Sequence, residues 1–61
     1  MQTINIKDVG GVRGFEKFAR KHPGVVFTWD SGNGWTSEGV YEPALRRVRY
    51  VAISPSGFRV V

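Results

Sequence analysis

Apolar and polar residues alternate along this chain with two different periods. In residues 2–7 the period is two: Ile4 and Ile6 point one way, and Thr3, Asn5 and Lys7 point the other. That is the pattern of a half-buried strand. Asp8-Val9-Gly10-Gly11 breaks it. In residues 12–21 the period lengthens. At about 100° per residue, Val12, Phe15, Phe18 and Ala19 gather on one arc, and Arg13, Lys17, Arg20 and Lys21 on the opposite one, which predicts an amphipathic helix. Glu16 stands four residues before Arg20, a favourable pairing. Pro23 ends the helix, because the residue before a proline is driven out of the α region, and Gly24 helps to reverse the chain.

Beyond the helix the pattern is that of short strands separated by turns. Residues 25–29 (Val-Val-Phe-Thr-Trp) read as a strand, and residues 30–34 as a hairpin loop in which Asn33-Gly34 is the strongest turn signal. Residues 35–41 return as a less regular strand, interrupted by Gly39. Glu42-Pro43 makes a bend, and residues 45–53 form the longest strand. Residues 54–57 read as a type I turn with Gly57 in the left-handed position, and residues 58–61 close the sheet. The predicted fold is α+β, in the order β-α-β-β-β-β. One amphipathic helix packs on one face of a small, mainly antiparallel sheet of four to five strands, since its apolar stripe has no other partner.

Strand parity then assigns the two faces. If Ile4 and Ile6 face the helix, so do Val25, Phe27 and Trp29; Val48, Tyr50 and Ala52; and Phe58 and Val60. The opposite face carries Thr3, Asn5, Lys7, Val26, Thr28, Arg47, Arg49, Arg59 and Val61, a polar and basic set. Leu45, Val51 and Ile53 share the parity of Arg47 and Arg49. Residues 45–53 therefore contain either a bulge or an open apolar patch bordered by arginines. A slip of one residue inverts the assignment.

Composition narrows the function classes. The 61 residues form a single domain, residues 1–61, with no linker or repeat. There is no cysteine and only one histidine, so disulfides and thiolate metal sites are excluded. Nine Lys and Arg stand against five Asp and Glu, a net charge of +4 that favours acidic partners. The first residues lack the apolar run of a signal peptide, and no stretch approaches the ~20 apolar residues of a membrane span. Cytoplasmic residence is the expectation.

The chemistry on offer is that of binding. Lys7, Arg47, Arg49 and Arg59 converge on the open sheet face, and arginine forks match phosphate geometry. Trp35 and Tyr41, near the glycine-rich hairpin, are candidates to stack on bases beside those cations. Arg13, Lys17, Arg20 and Lys21 form a second basic surface on the helix. The glycine-rich segment of residues 10–14 has neither the spacing of a dinucleotide fingerprint nor that of a P-loop. His22 falls on the apolar arc beside Pro23, where it packs or caps the helix. The five carboxylates are scattered, and no serine has an evident base. No catalytic residue, metal ligand or cofactor is therefore expected. Two functions remain: a nucleic-acid-binding module using the basic sheet face, or a protein-binding module that docks on an acidic surface of a larger protein and modulates it. A homodimer through the C-terminal strand is compatible with both. In length, charge and lack of cysteine the chain is similar to small accessory proteins of bacteria and phages.

Overall fold

The computed structural model describes all 61 residues, and the chain enters its sheet with a shorter strand than the alternation predicts. Strand β1 is Gln2–Thr3 only. The backbone then turns into a 3₁₀ helix at Ile6–Val9. The cause is Asn5. Its side-chain Oδ1 accepts from the Lys7 amide at 3.1 Å, and its carbonyl accepts from the Asp8 amide at 2.9 Å. A short amide side chain offers the backbone a local alternative to the sheet ladder, and here it wins. Ile4 and Ile6 still pack against the core, but from a turn rather than a strand.

Gly10, in the left-handed region at φ 87°, closes the 3₁₀ turn and opens helix α1, Gly11–Arg20. The helix docks tightly on the turn. A Cβ on Gly14 would lie 1.9 Å from the Val9 carbonyl oxygen, so only glycine fits there. Phe15 and Ala19 are fully buried and Phe18 is half-buried. Val12, expected on the same arc, is 56% exposed, because the first helical turn projects past the core.

Strands β2 (Phe27–Gly32), β3 (Trp35–Glu42), β4 (Arg47–Ile53) and β5 (Arg59–Val60) follow. The sheet order is β1-β2-β3-β4-β5, with β1 parallel to β2 and the other pairs antiparallel. The architecture is the expected α+β one: one helix on one face of a five-stranded, mostly antiparallel sheet.

The hairpin between β2 and β3 is tighter than a five-residue loop. Asn33 (φ 54°) and Gly34 (φ 82°) alone form the turn, and Gly32 stands opposite Trp35. Two successive positive φ values belong to the hairpin turn whose twist matches that of the strands. Ser31 is the extra residue where the register shifts between Asp30 and Gly32. The β3–β4 connection holds residues 43–46, so β4 starts two residues later than expected. Leu45 and Arg46 donate their amides back to Glu42 and Pro43, and Leu45 lies exposed in the turn.

Gly39 does not interrupt β3; it is the seat of the core. The Phe15 ring occupies the space above it, where a Cβ on Gly39 would lie 2.6 Å from Phe15 Cε2 and 3.1 Å from Trp29 Cη2. Around Phe15 stand Trp29, Phe27, Tyr50 and Phe18, with ring centroids 4.7, 6.0, 6.1 and 6.2 Å away. The helix lies over the middle of the sheet, with Phe15 and Phe18 on Phe27 and Trp29 of β2 and its main backbone approach to β3 and β4. This leaves Phe58, expected in the core, 74% exposed, and Val60 is exposed as well. No helix is long and apolar enough to cross a membrane.

Candidate functional site

The register of β4 decides which arginines share a face. Its seven residues pair with β3 without a break, from Glu42 opposite Arg47 to Thr36 opposite Ile53. Arg47, Arg49, Val51 and Ile53 therefore do point away from the helix, and no bulge rescues the two apolar residues. They are half-buried on the open face. Ile53 stands opposite Arg59 on β5, so Arg59 belongs to this face too.

The same register brings three carboxylates to that face. Asp30, Glu38 and Glu42 alternate onto it from β2 and β3. Glu38 is 9% exposed and receives two hydrogen bonds from Arg59, at 3.1 and 2.6 Å. This fork reaches across β4 and ties the two-residue β5 to the middle of the sheet. Hydrogen bonding to Glu38, reinforced by its negative charge, holds the Arg59 guanidinium above the ordinary arginine range. Arg49 donates to Glu42 at 3.3 Å. Three arginines against three carboxylates make the open face neutral in sum, not basic.

These carboxylates were readable. Treating Gly39 as a break in β3 discards the parity that places Glu38 and Glu42 beside the arginines. An uninterrupted strand over Trp35–Glu42 puts them there at once.

The other members of the expected constellation lie elsewhere. Lys7 sits on the 3₁₀ turn beyond β1, in a shallow groove shared with Asn5 and Asp30. Arg59 is at the opposite edge, about 19 Å away at four inter-strand spacings. Trp35 and Tyr41 are on β3 with the parity of Gly39, so they face the helix side and not the arginines. They are six residue steps apart along the strand, about 20 Å. Trp35 is 39% exposed at the hairpin end. Tyr41 is half-buried, with the Arg20 guanidinium 5.9 Å from its ring centroid.

The helix side carries the charge. Arg13, Lys17, Arg20 and Lys21 are all exposed. Arg20 meets Glu16 at 3.7 Å; the other three have no carboxylate partner. Off the open sheet face, Lys7, Arg46 and these four stand against only Asp8 and Glu16, which accounts for the whole net charge of +4. The helix runs antiparallel to β2, since Phe18 meets Phe27 while Phe15 meets Trp29. Its N-terminal turn, with Arg13, therefore lies toward the hairpin end that holds Trp35.

His22 follows Lys21, the C-cap of α1. Its amide donates to the Ala19 carbonyl, and its ring lies 5.2 Å from Phe18 and 5.9 Å from Phe27. No three His, Cys, Asp or Glu side chains converge anywhere in the fold.

The edge of the sheet beside β4 carries no signal in the residue pattern. β5 pairs only with Ala52 and Ile53, so the outer edge of β4 from Arg47 to Val51 has no strand beside it. The Ser54 amide bonds toward β5, to Phe58, at 2.8 Å. Backbone groups of alternate residues share a direction, so Val48 and Tyr50 turn theirs to that empty side. A cleft of about 310 Å³ opens there, lined by Arg47, Val48, Arg49, Tyr50 and Val61. No protein-family model, no curated protein and no solved structure matches the chain.

Proposed function

We propose that this protein is a non-catalytic module that binds nucleic acid, and that the contacting surface is the helix side rather than the open sheet face. The observation that carries this reading is the segregation of charge. The sheet face balances its arginines with Asp30, Glu38 and Glu42, while Arg13, Lys17 and Lys21 stand exposed without partners on one face of α1. A row of unpaired cations on a rigid helix offers point contacts to phosphates at low ordering cost. Trp35, at the same end as Arg13, supplies a π-face for an unpaired base.

The test is a titration with short single- and double-stranded oligonucleotides at two salt concentrations, read by tryptophan fluorescence. Trp29 is buried, so the exposed Trp35 reports. Three to four phosphate contacts give a slope of log affinity against log salt of about −2 to −4. The double substitution of Arg13 and Lys17 by Glu removes binding, whereas Arg59→Lys leaves it intact. No binding of either oligonucleotide at low salt overturns the proposal.

A further inference from the structure

We infer that the open edge of β4 is a strand-addition site for an extended segment of another protein, one in which acidic residues alternate with apolar ones. This surface is separate from the helix side. Three properties of the edge define the occupant.

The first is the backbone. Val48 and Tyr50 each present an amide donor and a carbonyl acceptor to the empty side, in line with β5. Main-chain pairing of this kind is how an extended peptide extends a sheet. An unpaired edge between two other paired elements is otherwise a liability that folds cover.

The second is the side chains that flank it. On the helix side lie Val48 and Tyr50, the latter 42% exposed, with Val61 at the end of the cleft. They form an apolar strip too small to hold a partner by itself. On the other side lie Arg47 and Arg49. Arg47 has no carboxylate partner, and Arg49 has only the 3.3 Å contact to Glu42. A guanidinium carries five donors in a fixed fork, so both retain free hydrogen-bonding capacity. An added strand puts alternate side chains against these two strips. Carboxylates opposite Arg47 and Arg49, with apolar residues between them, satisfy both at once.

The third is what this chain lacks. Its own acidic strand residues, Asp30, Glu38 and Glu42, lie on the inner strands β2 and β3, and Glu38 and Glu42 are already engaged by arginines. A second copy has β1, β5 and its own open β4 edge to offer, and both β4 and β5 would bring further arginines against Arg47 and Arg49. The charge pattern therefore selects a different, acidic partner.

The probe is a blocked octapeptide alternating glutamate and valine, compared with one alternating lysine and valine, followed by amide NMR on the full chain. The glutamate peptide is expected to shift the Val48 and Tyr50 amides and slow their hydrogen exchange, while those of Arg49 and Val51, bonded to β3, stay unchanged. Val48→Pro removes an outward donor without touching the β3 ladder, a position where an edge proline is tolerated. It should weaken binding about tenfold, as for the loss of one or two main-chain bonds. Arg47→Glu tests the charge without a backbone change and should weaken binding similarly. Equal binding of the lysine peptide, or full binding by both variants, overturns the inference. So does a chain that dimerises alone, by light scattering, with its Val48 and Tyr50 amides already protected.

Discussion

Replacing Gly39 by alanine tests whether the core is built as described. In most strands this change is favourable by about 0.5–1 kcal/mol, because glycine loses more backbone freedom on folding. Here the added Cβ lands 2.6 Å from Phe15 Cε2, 2.9 Å from Cζ and 3.1 Å from Trp29 Cη2. Phe15 is fully buried and is flanked by Trp29, Phe27 and Phe18, so its ring cannot withdraw without displacing them. Overpacking of this kind costs about 1–3 kcal/mol. The net expectation is a loss of about 1–2 kcal/mol, out of a total near 3–9 kcal/mol for a domain of this size. At roughly 4–8 °C per kcal/mol, the thermal midpoint falls by about 4–16 °C. Thermal unfolding followed by circular dichroism measures it. The double variant Gly39→Ala with Phe15→Leu should recover part of the loss relative to Phe15→Leu alone, because the smaller side chain yields the space. An alanine at 39 that is neutral or stabilising, with no coupling to position 15, would refute the packing.

Two further outcomes follow from the charge arrangement. Glu38→Gln weakens the fork that holds Arg59, so hydrogen exchange at Val60 should quicken and the thermal midpoint should fall, while the β2–β3 amides keep their protection. Burial raises the Tyr50 pKa above its ordinary 10.0, and the Glu16 charge adds to the effect. A raised folded-state pKa means that this stabilisation is present below about pH 10 and lost as pH rises through the folded value. Alkaline destabilisation should therefore accompany Tyr50 ionisation, be smaller in Tyr50→Phe, and also be smaller in Glu16→Gln, where the ionisation itself moves to lower pH; ultraviolet difference spectra follow the ionisation separately from unfolding.

Local patterns in the sequence determined much of the fold. Period 3.6 placed α1 within one residue, Asn33-Gly34 placed the hairpin, and Gly57 placed the last turn. These are signals whose physics is complete within a few residues. The parity of residues 47–53 likewise put Arg47 and Arg49 on the face away from the helix. Three things were not legible in those patterns: the first is a local turn, and the other two depend on contacts between distant segments. Asn5 ended the first strand, an outcome the alternation of Ile4 and Ile6 concealed because the isoleucines pack on the core from either conformation. Gly39 looked like a break and proved to be the socket for Phe15, which only the helix crossing above it reveals. The basic face dissolved because Glu38 sits two strands from Arg59 and Glu42 one strand from Arg49, so charge that is sparse along the chain becomes paired across the sheet. What the sequence by itself determined was which elements form and where the cations lie along the chain. Only the tertiary structure decided which cations remain free, and that β5 pairs with Ala52 and Ile53 while Val48 and Tyr50 face outward, because both depend on the register between strands.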